Sequence, residues 1–183
     1  MRKMKGLTLI EVLLALGVAA IIIVGAIAFF SSAASAARVN QAQSEVQAFV
    51  ASVNSLYVAQ PNFAGLSGTV LDSAGKVPAG IRVSAGVVRN PFGGTYTFAP
   101  AAFNGVANAA FTVTMNNVPQ SSCVEMLSST SLSGAGLYGV AASGTVTAPT
   151  APTGGATPAR PNIAAATKQC SHAQQNTIRF FAK

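Results

Sequence analysis

Charge is the scarcest property of this sequence. Only 8% of its 183 residues are charged, and four are acidic: Glu11, Glu45, Asp72 and Glu125. The four stand far apart along the chain, so paired-carboxylate catalysis and acidic metal clusters find no support. Histidine occurs once, at His172, two residues from Cys170. A lone solvent-facing histidine is the simple account of it, rather than a ligand. Serines are plentiful, but no G-x-S-x-G elbow or partnered Ser/His/Asp set is present. No enzyme, cofactor or metal is expected. Tryptophan is absent. Beyond residue 30 the chain is rich in Ala, Ser, Thr, Gly and Val, which suits small β-rich surfaces better than a large aromatic core. Glu45 and Glu125 read as solvated helix positions.

The 11 basic residues give a net charge of +7. Arg2, Lys3 and Lys5 supply three of these, so the chain without them carries +4. The others are scattered from Arg38 to Lys183 without a run or stripe, which argues against a dedicated nucleic-acid binder. Cysteine occurs twice, at Cys123 and Cys170. In an exported chain one disulfide is the simplest arrangement. It would close a loop of about 48 residues and contribute roughly 4 kcal/mol by chain entropy. Two separate buried thiols are the alternative.

The N-terminus decides the class. A basic tip, MRKMKG, precedes an apolar block from Leu7 to Phe30 whose one charge is Glu11. A helix of about 24 residues is about 36 Å long, enough to cross a hydrocarbon core of ~30 Å. The basic tip places the N-terminus inside and the bulk of the chain outside. An ordinary signal peptide cut near Ala34-Ser35-Ala36 would have a shorter apolar run. A plain retained anchor accounts for the length. Neither has any use for Glu11.

The residues Gly6, Leu7, Thr8, Leu9, Ile10 and Glu11 resemble the class III leader of the type IV pilins. That pattern is a short basic leader, a glycine, and an apolar helix whose fifth residue is glutamate. The resemblance implies that a prepilin peptidase cuts between Gly6 and Leu7 and methylates the new Leu7 amine. It also implies that Glu11 of one subunit pairs with the Leu7 amine of a neighbour during assembly. An ionised carboxylate costs about 2.5–3.5 kcal/mol at a membrane helix centre, so a retained one usually has a partner. Desolvation offsets much of such a pair, and its use is axial registry. A pair within one chain, one helical turn apart, is the alternative. Gly6, with no side chain, lets a protease approach the backbone. Gly17 and Gly25 interrupt the apolar helix, where glycine commonly permits close packing.

Past the apolar block, Val39, Ala42, Val46, Phe49, Val50, Val53, Leu56 and Tyr57 recur at three- and four-residue spacing. Asn40, Gln41, Gln43, Ser44, Glu45, Gln47 and Asn54 fill the other face. One helix is predicted from Leu7 to about Gln60, stopping before Pro61. Residues 62–76 read as a loop and Ile81 to Val88 as one strand. Asn90 to Gly94 reads as a turn leading into Tyr96-Thr97-Phe98. Ala110 to Met115 reads as a strand, and Pro119 to Leu127 as a short helix capped by Ser121 or Ser122. Leu137 to Val146 and Asn176 to Phe181 are further strands. The Pro/Thr/Ala/Gly-rich tract from Gly144 to Pro161 is expected to be an exposed loop. The expected fold is α+β, a long helix packed on an antiparallel sheet with one disulfide. Its segments are a leader over 1–6, an apolar helix over 7–30, an amphipathic continuation over 31–60 and a globular head over 61–183.

The run Arg89-Asn90-Pro91-Phe92-Gly93-Gly94-Thr95, with Gln120-Ser121-Ser122-Cys123 and Gln169-Cys170, narrows the resemblance to the type IVb pilins. That branch holds the toxin-coregulated, bundle-forming and conjugative thin-pilus pilins. It implies that Cys123 and Cys170 pin a variable C-terminal region. The expected function is a structural subunit, the major pilin of a type IVb-like pilus serving adhesion, aggregation or conjugation. The chain would sit in the inner membrane as a precursor and then in a helical homopolymer on the bacterial surface. Its expected partners are itself, the prepilin peptidase, and the assembly platform with its ATPase. The rivals are a minor pilin or type II secretion pseudopilin, and a secreted or membrane-tethered binding domain.

Overall fold

From Leu9 to Tyr57 the sequence holds no proline, and a single helix, α1, covers all 49 residues. Glu11 in its first turn suits the positive end of the helix dipole. The helix ends where Gln60 N–H turns back to the Tyr57 carbonyl, just before Pro61. The computed structural model describes residues 8–129, 136–142 and 161–183. The chain forms two compact units, one ending at Ala37 and the other starting at Arg38. In the first unit, the apolar side chains of α1 from Leu9 to Phe30 are exposed. In the second unit, Val39, Ala42, Val46, Phe49, Val50 and Val53 are buried. Their three- and four-residue spacing places them on one face of the helix.

That face packs on a six-stranded antiparallel sheet. The strands are β1 (Arg82–Ser84), β2 (Val87–Arg89), β3 (Thr95–Phe103), β4 (Val106–Val118), β5 (Leu137–Ala142) and β6 (Asn176–Ala182). Their spatial order is β1-β2-β3-β4-β6-β5. Asn104 and Gly105, with φ of 49° and 79°, join β3 to β4. An Asn-Gly pair with positive φ at both residues matches the twist of a hairpin. Strand alternation sends Tyr96, Phe98, Phe111, Val113, Met115, Ile178 and Phe180 into the main core with the helix stripe. Phe49 meets Tyr96 and Phe98 edge-on, with ring centroids 5.2 and 5.0 Å apart. Each such buried side chain is worth about 1.5–3 kcal/mol. Ala110, Tyr138 and Phe181 form a second, smaller cluster, with Phe103 packed against it. Aromatic rings thus carry much of the core, despite the absence of tryptophan.

Several local expectations give way. Residues 62–76 are not all loop: Gly68–Ser73 form α2, with the Ser67 hydroxyl accepting the Val70 N–H. The predicted strand Ile81 to Val88 is a hairpin, because Gly86 at φ 75° turns the chain between β1 and β2. Helix α3 (Gln120–Ser128) starts from Pro119 and has no side-chain cap. Neither Ser121 nor Ser122 serves, since both lie inside the helix, which begins after Pro119. Helix α4 (Ile163–Gln169), capped by Asn162, was not foreseen. Strand β5 is described over Leu137–Ala142, and the rest of the expected strand to Val146 lies outside the described residues. Most of the Pro/Thr tract lies outside the described residues.

Candidate functional site

The first part of α1 presents an unusual surface. Its most apolar 18-residue window has none of its length buried, and its length and composition suffice to cross a membrane. Leu9 is 80% exposed and Phe29 70% exposed. An apolar surface that large marks a contact with lipid or with other chains. Glu11 is exposed in the first turn, where its N–H and that of Val12 donate to the Thr8 carbonyl at 3.1 and 3.2 Å. The expected cut between Gly6 and Leu7, the Leu7 amine and its pairing with Glu11 lie outside the described residues.

Glu45 departs from the sequence reading. It is half-buried, and both carboxylate oxygens accept hydrogen bonds. Tyr96 Oη donates to Oε2 at 2.8 Å, and Gln41 Nε2 donates to Oε1 at 2.8 Å. Burial pushes the Tyr96 phenol well above its ordinary range, and the Glu45 charge and its hydrogen bond push it further. The neutral phenol is thereby held as a donor, tying α1 to the middle of the sheet. A signal for this existed: Glu45 stands three residues after buried Ala42 and four before buried Phe49, on the border of the stripe. Gln43, assigned to the polar face, is also buried and donates to Ser129 Oγ at 3.0 Å.

The C-terminal region is clamped in three places. Cys123 of α3 and Cys170 at the end of α4 are joined by a disulfide, with Cα atoms 5.9 Å apart, and both are fully buried. Gln169 Oε1 accepts the Ala142 N–H at 3.0 Å, tying α4 to β5. Buried Asn176 donates to the Val118 carbonyl at 3.0 Å and accepts the His172 N–H at 3.0 Å. The His172 backbone is fixed while the residue stays exposed. The Asn90 turn is built the same way. Its Oδ1 accepts the N–H groups of Phe92 and Gly94, and its Nδ2 donates to the Asn116 carbonyl at 2.7 Å. Among the described residues no three His, Cys, Asp or Glu side chains are grouped to hold a metal.

These features form a scaffold with an unburied apolar helix. A family model described as PilS N terminal matches residues 36–183. A second, the prokaryotic N-terminal methylation motif, matches residues 1–27. This chain belongs to the type IV pilins. The pilin is 30% identical, over 141 residues, to the major structural subunit of bundle-forming pilus of Escherichia coli O127:H6. That match covers 76% of this chain and 72% of the relative. The subunit of the same name from Escherichia coli O111:H- is 29% identical over 123 residues, covering 67% of this chain and 63% of the relative. The solved type IV b pilin from Salmonella typhi is 25% identical with a TM-score of 0.57, covering 77% of this chain and 97% of that one. TcpA, a type IV pilin from Vibrio cholerae El Tor biotype, shares the fold at 17% identity and TM-score 0.57, covering 80% and 99%. The long helix on an antiparallel sheet with one disulfide is therefore the type IVb pilin fold, and the pilin is a structural subunit.

Proposed function

We propose that this pilin is the major subunit of a type IVb-like pilus. It is made as a prepilin, held in the inner membrane by residues 7–30, and cut between Gly6 and Leu7 by a prepilin peptidase. The Leu7 amine is methylated. An assembly platform with its ATPase then moves the subunit from lipid into an extracellular helical homopolymer. One observation carries this reading: the apolar part of α1 buries nothing within its own chain and keeps a single acid, Glu11. Lipid alone gives no use for that acid, whereas a bundle of identical helices gives it the amine of a neighbour. The curated relatives named as major subunits of a bundle-forming pilus support the choice of major over minor pilin.

The test is mass spectrometry of filaments sheared from the cell surface. This chain is expected to dominate them, beginning at a methylated Leu7. A dominant filament of another sequence would make it a minor pilin or pseudopilin. A chain beginning near Ala37 or Arg38 would make it an ordinary secreted domain.

A further inference from the structure

We propose that a groove on the outer face of the sheet receives the Glu125 carboxylate of a second copy of the chain, pairing it with Arg179. This rests on the fibre-subunit reading above. In a fibre of one chain every surface meets the same sequence, so its own acidic side chains are candidates for contacts between heads. There are four. Glu11 lies in the apolar part of α1. Glu45 is occupied by Tyr96 and Gln41. Asp72 pairs with Arg82 at 2.8 Å and accepts the Gly86 N–H at 3.1 Å. Glu125 is left, exposed on α3, with no side-chain partner among the described residues.

The bases are not equivalent. Arg38, Lys76, Arg89 and Lys168 stand exposed. Arg179 is half-buried in β6, opposite Thr114 of β4 and Ala141 of β5. It lines a groove of about 400 Å³ together with Thr97, Thr112, Thr114, Pro100 and Phe181. Among the described residues no carboxylate lies within ion-pair distance of it. A carboxylate entering the groove would meet a guanidinium held by a central strand, with threonine hydroxyls beside it. Partial burial weakens the screening that makes open surface pairs nearly worthless.

The two groups lie on opposite faces of the head. Helix α3 sends Cys123, Met126 and Leu127 into the core on the helix side of the sheet. The groove is on the other face, where Phe181 and Ala101 pack in the smaller cluster. Glu125 therefore cannot reach Arg179 of its own chain. A contact between different surfaces of two copies is heterologous, and it propagates as a filament when the rotation does not close.

The test uses the full chain in piliated cells, with Glu125→Arg, Arg179→Glu and both together. Each single reversal places like charges in the groove and should lower shear-released fibre about tenfold, with the membrane-held monomer at its normal amount. The double reversal should restore fibre to within about twofold of the unaltered chain. As an independent readout, Glu125→Cys with Thr114→Cys should give a reducible ladder of cross-linked subunits in fibres. Normal fibre yield in both single variants, or no recovery in the double variant together with no ladder, overturns the proposal. So does a normal fibre that has lost only its retention on anionic beads, which would assign the groove to an outside ligand. If Arg179→Glu depletes the monomer itself, the ladder alone decides. If the unaltered chain forms no fibre, the subunit reading falls, and this contact with it.

Discussion

Removing the hydroxyl of Tyr96 tests how the head is fixed to its helix. Tyr96 is 2% exposed, and its phenol donates to the Glu45 carboxylate at 2.8 Å. A hydrogen bond to a charged group contributes about 1.5–3 kcal/mol. In Tyr96→Phe the ring keeps its packing against Phe49, and Glu45 keeps Gln41 and access to water. The loss should fall at the low end, about 1.5 kcal/mol. Glu45→Ala is the harsher change, because it leaves a buried phenol without a partner, at about 1–3 kcal/mol, and removes the carbon stem as well. Urea denaturation of the full chain in detergent micelles, followed by near-ultraviolet circular dichroism, measures both. With a slope of about 2 kcal/mol per molar, Tyr96→Phe should lower the midpoint by about 0.7 M. The double variant should cost clearly less than the sum of the two singles. Equal stability of Tyr96→Phe and the unaltered chain, or strict additivity in the double, would refute the reasoning.

The same contact sets an alkaline limit. The folded Tyr96 phenol ionises above its unfolded value of about 10, so its stabilisation is complete below that pH and is lost as pH rises through it. Phenolate absorbance should therefore show Tyr96 titrating only on unfolding, and Tyr96→Phe should flatten the fall in stability above about pH 10. Cys123→Ser opens a disulfide spanning 47 positions and should cost about 4 kcal/mol, read as a lower urea midpoint that reductant no longer shifts. Gly94→Ala puts a Cβ onto the Asn116 side chain and carbonyl, so it should destabilise by about 1–3 kcal/mol, whereas Gly93→Ala is opposed only by its φ of 86°. Glu11→Ala should leave the monomer abundant in the membrane and lower sheared fibre at least about tenfold. Normal fibre from that variant removes the registry role of the acid.

The sequence by itself settled what depends on neighbours along the chain. A long apolar run with one acid specifies a helix able to cross a membrane, since length and side-chain polarity act locally there. The stripe from Val39 to Val53 gave the buried face of α1, because helical geometry alone puts those positions together. The tertiary structure decided what depends on residues far apart in sequence. Glu45 looked solvated until Tyr96, 51 positions away, was placed against it. Helix α3 starts after Pro119, ahead of both candidate serine caps, where Gln120 N–H meets the distant Ala173 carbonyl. Gly86 divides an apparent strand because its N–H is held by Asp72 of α2, and a Cβ there would crowd Thr69. Polar groups take whichever partner the fold brings within reach, and spacing along the chain does not encode that choice.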